Sequence, residues 1–196
     1  MDPVKEEVKM AKAVKVATLG RVLINGVPTR QLRPLEALVL LHLHDGWALR
    51  EAVRAALFGE ESARSTLTSL MTRLRRLGFE VVEEGAGYRL LTRPDLDVTR
   101  FSRALADGNV DAAIKMYKGP FMPGSRSPFA QELRTYLEES LIAAVTESHP
   151  LKPRWLREAA RRVGPDLRLA EALAATSPAG LVLPSVRAQI AGAGLA

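Results

Sequence analysis

Residues 62–78 (SARSTLTSLMTRLRRLG) carry hydroxyl and guanidinium groups and no carboxylate. On a helix, which advances about 100° per residue, one face collects the apolar side chains Leu67, Leu70, Met71, Leu74 and Leu77. The opposite face carries Ser65, Thr68, Ser69, Thr72 and Arg76, flanked by Arg73 and Arg75, with Arg64 near the start. Because Arg binds guanine bidentately and Ser or Thr binds base edges or phosphates, this face could enter a DNA major groove. A polar face that serves only solubility is the alternative interpretation.

Two strand-like runs follow this basic helix, at residues 81–83 and 88–91, and residues 84–87 (EGAG) separate them. Glycine supplies the positive φ that a tight turn requires, so the pattern predicts a β-hairpin. A basic amphipathic helix followed directly by a hairpin is typical of the end of a winged-helix domain. The combination favours DNA binding over a purely solvated helix.

The residues before the basic helix predict a short sheet and two helices. Residues 1–13 (MDPVKEEVKMAKA) are polar and predict a flexible extension. The alternating apolar residues from Val14 and the Asn25-Gly26 pair predict a small antiparallel sheet. A helix with Pro34 in its first turn should follow, with Leu38, Leu41 and Leu43, or residues near them, towards the core and its end at Asp45-Gly46. Residues 52–58 suit a second, short helix, and Ser62 is the expected N-cap of the basic helix.

The residues after the hairpin predict a helical region. Residues 92–95 have the composition of a linker, and a helical hairpin at 98–106 and 110–118 should turn at Gly108-Asn109. A loop rich in Pro and Gly precedes a long helix at 129–147, whose core stripe is Leu133, Leu137, Leu141 and Val145. Gly164-Pro165 divides residues 152–176 into two shorter helices, and 184–191 suits one more. Paired antiparallel helices of this size are similar to tetratricopeptide-like units.

Several of these stretches resemble one family. ARSTLTSLMTRLRRLG (63–78) resembles the recognition helix of OmpR-type regulators, and EGAGYRLL (84–91) resembles their wing. Residues 14–32 are similar to the short N-terminal strands of that domain, and residues 33–62 are similar to its first two helices. Downstream, residues 106–109, YKGPFMPG (117–124), and Phe129 with Arg134 and Leu137 resemble the bacterial transcriptional activator domain (BTAD) that follows the wing in SARP-type transcriptional regulators. The resemblance covers residues 14–147.

The resemblance implies a mostly α fold: an α+β winged helix-turn-helix at 14–93, a BTAD/TPR-like helical domain at 94–148, and additional C-terminal helices at 149–196. It implies a bacterial regulator of transcription whose partners are double-stranded DNA, RNA polymerase or another protein through the helical domain, and a second copy bound in tandem on DNA. We expect the DNA contacts to come from Arg64, Ser65, Thr68, Ser69, Thr72, Arg73, Arg76 and Arg89. Within this set, Thr68, Ser69, Thr72 and Arg73 are assigned to base edges, and Arg64, Arg76 and Arg89 mainly to phosphates.

The predicted wing departs from the family in its charge. OmpR-type wings commonly present Arg before the glycine, whereas this chain has Glu83-Glu84, which leaves Arg89 as the wing candidate. Carboxylates beside phosphates weaken contact with DNA. A rival hypothesis is therefore a protein-interaction adaptor in which the winged helix serves as a docking scaffold and binds little DNA.

Composition sets wider bounds. The 196 residues are 47% apolar, and the absence of cysteine excludes disulfides and thiolate metal sites. No apolar run reaches the roughly 18 to 20 residues of a membrane span, so we expect a cytoplasmic protein without membrane contact. The net charge is +6, but residues 1–98 contain 15 Lys+Arg and 13 Asp+Glu, so the predicted DNA-binding domain is not basic throughout. We interpret a second basic cluster as a solvated helix face: Lys152, Arg154, Arg157, Arg161 and Arg162.

Other groupings of reactive residues do not indicate an enzyme. His42 and His44 lie about 200° apart on a helix, so the two histidines cannot converge with Asp45 on one metal unless the helix ends there. Gly85-Ala86-Gly87 lacks the third glycine and the strand-to-helix context of a dinucleotide-binding loop. We therefore expect no cofactor, no metal and no catalysis. Trp47, Trp155 and Tyr88 are expected to pack in the core and not to stack on bases.

Overall fold

The computed structural model describes residues 13–59 and 64–176, with only the backbone of residues 64 and 65. The predicted extension at 1–12, the Ser62 N-cap and the predicted helix at 184–191 lie outside these residues. The described elements, in chain order, are β1 (Lys15–Ala17), β2 (Leu23–Ile24), β3 (Val27–Pro28), α1 (Leu32–Leu43), β4 (Trp47–Leu49), α2 (Arg50–Phe58), α3 (Arg64–Arg76), β5 (Val81–Glu84), β6 (Gly87–Leu90), β7 (Asp95–Leu96), α4 (Asp97–Ala106), α5 (Val110–Met116), α6 (Pro128–Thr146), α7 (Pro153–Val163) and α8 (Leu167–Thr176).

The first sheet has the strand order β3-β2-β1-β7. The predicted antiparallel hairpin is confirmed, and Asn25 and Gly26 both adopt positive φ at its turn. β7 joins the sheet parallel to β1, so part of the predicted 92–95 linker is a paired strand. The buried Asp97 carboxylate then accepts hydrogen bonds from the backbone N–H groups of Thr18, at 2.8 Å, and Leu19, at 3.0 Å. The chain after the wing is therefore fastened to the first sheet.

The winged helix consists of α1, α2, α3 and a second sheet of order β4-β6-β5. β4 was not predicted, because three residues show too little alternation to be recognised. α1 is buried from Pro34 to Leu41, since α2, α3, α6 and β6 pack around it. Leu43 was wrongly predicted to face the core, because it occupies the last turn of α1 and is 42% exposed.

The helical region begins with α4 and α5, which turn at Gly108-Asn109 as predicted. The Asn109 side chain caps α5 by accepting a hydrogen bond from the backbone N–H of Ala112, and Ser127 caps α6 in the same way through Ala130. Three residues of the predicted α6 stripe are buried, while Leu133 is half-buried. The predicted division between α7 and α8 at Gly164-Pro165 is also confirmed.

The winged helix and the helical region pack together, because α6 contacts both α1 and α2. The hydroxyl of Ser125, before α6, also donates a hydrogen bond to the buried carboxylate of Glu36 on α1. The predicted fold class, an α+β winged helix followed by a helical domain, is confirmed. The domain boundaries and the tetratricopeptide-like assignment stay predictions. Among the helices described, none is long and apolar enough to cross a membrane.

Candidate nucleic-acid interface

The basic helix α3 lies with one face in the core and the other in solvent. Leu67, Leu70, Met71 and Leu74 are buried, and the helix packs on α1. Leu77 is only half-buried, because it lies just beyond the last residue of the helix. The predicted amphipathic arrangement is therefore present, and packing on the core holds the opposite face towards solvent.

The solvent face of α3 carries most of the predicted DNA-binding side chains. Thr68, Ser69, Arg73 and Arg76 are exposed. Thr72 is half-buried, and its hydroxyl donates to the backbone carbonyl of Thr68 at 3.0 Å. This hydroxyl keeps its acceptor capacity for a base or a bound water. The backbone of Arg64 and Ser65 begins the helix, but the side chains of these two residues lie outside the described part.

The three arginines at the end of α3 differ in what they bind. Arg75 Nε donates to the backbone carbonyl of Val81 at 2.7 Å, so this side chain connects the helix to the hairpin. By contrast, the guanidinium groups of Arg73 and Arg76 form no hydrogen bond or ion pair with any other described residue. Arg73 and Arg76 can therefore direct all their donors to an external acceptor.

The predicted wing is the hairpin of β5 and β6. Its turn consists of Gly85 and Ala86, with Gly85 at a φ of +58°, because the strands extend through Glu84 and Gly87. Gly87 packs against β4, and a Cβ built there would lie 2.4 Å from the carbonyl oxygen of Ala48. A glycine is thus required at this position by close packing, and not by its φ.

The charged groups of the wing bind one another. Arg89 Nη2 donates to Glu84 Oε1 at 3.1 Å, and Arg89 Nε donates to the second oxygen of the same carboxylate. The hydrogen bonds that Arg89 donates to Glu84 raise the pKa of the Arg89 guanidinium, so this group stays charged. The second wing carboxylate, Glu83, pairs with Arg50 Nη2 at 3.2 Å. The predicted wing contact Arg89 is therefore engaged within the hairpin.

Arg50 was not predicted as part of this surface. It is the first residue of α2, its guanidinium carbon lies 5.6 Å from the centre of the Tyr88 ring, and β4 brings it beside the hairpin. Since β4 itself was not predicted, no sequence signal placed Arg50 near Glu83. The two wing glutamates consequently carry less uncompensated charge than the sequence suggested.

A recess of about 340 Å³ lies on the flank of α3. Arg73 contributes to its wall together with Arg30 just before α1, Arg33 in the first turn of α1, and Arg126 in the loop before α6. Arg30, Arg33 and Arg126 were not predicted as site residues. They lie far apart in the sequence, so only the packing of α1, α3 and α6 brings them together.

The remaining candidates have structural roles. Tyr88 and Trp155 are buried, as predicted, and Trp47 packs beside Gly87. In the second basic cluster, the Lys152 ammonium lies 3.7 Å from the centre of the Trp155 ring, and Arg161 and Arg162 both pair with Glu158. Arg162 Nη1 also donates to the backbone carbonyl of Tyr117 at 2.9 Å, and Arg154 pairs with Asp111, so these two side chains connect α7 to α5 and are not merely solvated. Burial lowers the pKa of His42, and the part of the chain that is described holds no group of three metal-ligating side chains.

Comparisons with known proteins show similarity to a curated protein and to a solved structure. No family model matches it. An uncharacterized 47.3 kDa protein in the thcA 5' region of Rhodococcus erythropolis is 30% identical over 141 residues, which is 69% of this chain and 32% of the relative. The structure of Mycobacterium tuberculosis EmbR in complex with a low-affinity phosphopeptide superposes with a TM-score of 0.53 at 21% identity, over 91% of this chain and 64% of EmbR.

Both comparisons cover only part of the related protein. The chain spans about a third of the curated relative and less than two thirds of the EmbR chain. At 21% identity, the likeness to EmbR concerns the fold alone. It extends over both the winged helix and the helical region described above. We conclude that this chain shares the fold of EmbR across nine-tenths of its length.

Proposed function

We propose that the protein is a sequence-specific DNA-binding transcriptional regulator of SARP type, which inserts α3 into the major groove. The observation that carries this proposal is the solvent face of α3, where hydroxyl groups and two guanidinium groups with no partner among the described residues stand together without a carboxylate. A rigid helix that presents such donors matches the acceptor-rich edges of bases and the phosphates beside them. The EmbR-like fold is consistent with this role.

The helical positions suggest which side chains read bases. Ser69, Thr72 and Arg76 follow one another at intervals of three and four residues, so they form a line opposite the buried leucines. A line opposite the core faces the floor of the groove, where the base edges lie. We therefore assign Thr68, Ser69, Thr72 and Arg76 to base edges.

Arg73 lies to one side of this line, beside the arginine-lined recess. The side of a groove-bound helix faces the phosphate walls, so we assign Arg73 to a phosphate. This reverses the assignment of Arg73 and Arg76 made from the sequence. Arg64 and Ser65, at the start of α3, stay candidates for phosphate and base contact, whereas Arg89 contacts phosphate only if it leaves Glu84.

Two variants test this reversal. Arg76→Ala should relax sequence preference, because a bidentate base contact is worth about 1–3 kcal/mol of discrimination. Arg73→Ala should weaken binding to all sequences equally and reduce the salt slope by about 0.9. Affinities for the preferred duplex and a scrambled duplex, measured by fluorescence anisotropy, check both expectations. Relaxed preference in Arg73→Ala with uniform loss in Arg76→Ala would restore the original assignment.

The helical region is proposed as the surface for protein contact. Tyr136 is 62% exposed on α6, so this helix offers an aromatic side chain to RNA polymerase or another protein. We propose further that two copies bind in tandem on a direct repeat of DNA. The protein would lie in the cytoplasm and be associated with the nucleoid when it binds DNA. No catalytic step, cofactor or metal enters this function.

Selection from random duplexes tests the DNA-binding proposal itself. The full chain is mixed with a duplex pool, bound duplexes are sequenced, and the enriched site is titrated against salt by fluorescence anisotropy. The proposal predicts an enriched direct repeat near one helical turn apart and an affinity that falls steeply with salt. No enrichment together with weak, salt-insensitive binding would contradict it.

The adaptor hypothesis is the second candidate. Its supporting observation is that the wing carboxylates occupy Arg89 and Arg50, which leaves the hairpin without a free arginine. An adaptor would show no duplex enrichment in the selection above, and crosslinking of the intact chain would instead capture a protein through the α3 face. Substituting Arg76 would then weaken this protein contact.

A further inference from the structure

The recess beside α3 joins three parts of the fold. Arg30 lies just before α1 and Arg33 in its first turn, Arg73 lies on the flank of α3, and Arg126 lies in the loop before α6. The recess has a volume of about 340 Å³ and is open to solvent. Within its described lining there is one carboxylate, that of Glu36.

That carboxylate is already compensated. Glu36 is fully buried, its Oε2 accepts from Arg33 Nη1 at 2.8 Å, and its Oε1 accepts from the hydroxyl of Ser125. Arg33 Nη1 also donates to the carbonyl of Leu57 at 2.8 Å. Arg33 and Glu36 therefore form a fixed, nearly neutral pair at the base of the recess.

The other three guanidinium groups have no such compensation. Arg30, Arg73 and Arg126 are exposed, and none of their guanidinium groups forms an ion pair or hydrogen bond with another described residue. Like charges gathered in one concave surface raise the local positive potential and attract an anion. The first turn of α1, which has no acidic residue and no side-chain cap, adds to this potential.

The chemistry of the three groups selects the kind of anion. A planar guanidinium donates two parallel hydrogen bonds to a tetrahedral oxyanion, and phosphate presents enough oxygens for several such forks. A recess of about 340 Å³ holds a phosphate group with part of its ester. We propose that Arg30, Arg73 and Arg126 form a phosphate-binding site between the winged helix and the helical region.

Two sources can supply this phosphate. The first is the DNA backbone beside the groove that α3 enters, in which case Arg126 adds a contact from outside the winged helix. The second is a small phosphorylated ligand that links α3 to the loop before α6. The first source rests on the proposed function, whereas the second does not.

The test uses the full chain with Arg30→Ala/Arg126→Ala, which leaves α3 unchanged. Arg157→Ala is the matched control, because Arg157 is exposed on α7 and outside the recess. Thermal melting checks that both variants fold. Calorimetry measures binding of inorganic phosphate and pyrophosphate, and fluorescence anisotropy measures a selected duplex across a range of salt concentrations.

The DNA source predicts that the double variant loses affinity on all duplexes and that its salt slope falls by about 1 to 2, since each phosphate contact contributes about 0.9. The small-ligand source predicts that pyrophosphate binds the wild type and that the double variant loses at least fivefold in this affinity (on the order of one lost charge-assisted hydrogen bond), with DNA binding unchanged. Behaviour identical to Arg157→Ala in both measurements would overturn the site, even if the wild type binds DNA. Pyrophosphate binding at the recess without any duplex binding would instead contradict the proposed function and keep the site.

Discussion

Helix α3 and the wing hairpin lie next to each other in the chain, yet their arginines are in different states. Arg73 and Arg76 on α3 have no partner among the described residues, whereas Arg89 in the wing is held by Glu84. Arg50, which packs on the wing, is held by Glu83. The comparison teaches that the number of arginines in a segment does not tell how many of them are available to an external anion, because neighbouring carboxylates occupy some of them.

The difference follows from the periodicity of the two elements. In the hairpin, Arg89 stands opposite Val82, so Glu84 is its diagonal neighbour on the same face. In α3, the neighbours of Arg76 at three and four positions are Arg73 and Thr72, and neither is acidic. The hairpin thus brings the wing charges together, while among the described residues α3 leaves Arg73 and Arg76, though not Arg75, without an internal partner.

The largest expected effect on stability comes from the difference in burial between α3 and the wing hairpin. Leu74→Ala removes a fully buried side chain of α3, and we expect it to lower the free energy of unfolding by about 2–5 kcal/mol. Val82→Ala in the wing removes a side chain that is 37% exposed, so a change within about 0.5 kcal/mol is expected. Urea denaturation measures both. Equal losses would show that α3 is not packed as described.

A smaller effect concerns the attachment of the wing. In Gly87→Ala, the new methyl group must displace the Ala48 carbonyl or the Trp47 ring, which should cost about 1–3 kcal/mol of stability. Gly85→Asn is the control, because Asn tolerates its positive φ and nothing lies within 4 Å. Thermal unfolding compares them. A neutral Gly87→Ala would contradict the close packing of β6 on β4.

The next prediction concerns a variant that releases the wing arginine from its carboxylate. Glu84→Gln removes the carboxylate that holds Arg89, so the freed guanidinium should gain one phosphate contact and steepen the salt slope by about 0.9. Glu80→Gln removes the same charge from an exposed residue that forms no ion pair among the described residues. Fluorescence-anisotropy titrations of both variants on one duplex distinguish a new Arg89–phosphate contact, which only Glu84→Gln can gain, from the loss of carboxylate–phosphate repulsion, which both variants share. Identical slopes for the two variants would contradict the role of the Glu84 pair.

Local patterns predicted the parts of the fold that depend on neighbouring residues. The two faces of α3, the turns at Asn25-Gly26 and Gly108-Asn109, and the break at Gly164-Pro165 follow from helical periodicity and from the conformations of glycine and asparagine. The short strand β4 and the pairing of β7 with β1 were missed, because two or three residues carry no detectable period.

In the candidate site, too, local features were predictable and long-range contacts were not. The exposed residues of α3 were predictable from a single helix, whereas the engagement of Arg89 needed the register of the hairpin and the position of Arg50 needed β4. The recess formed by Arg30, Arg73 and Arg126 depends on contacts among α1, α3 and the loop before α6. Such long-range contacts leave no local pattern in the sequence.

The most direct test of this account compares Arg73→Ala/Arg76→Ala with Arg89→Ala on the selected duplex. Anisotropy titrations between about 50 and 200 mM salt give the affinity and the salt slope of each variant. We predict that the α3 variant loses at least tenfold in affinity (about 1.4 kcal/mol) and that its slope falls by about 0.9, from the Arg73 phosphate contact, while Arg89→Ala matches the wild type. If Arg89→Ala loses as much as the α3 variant, the wing and not the helix supplies the decisive cation, and the central claim is contradicted.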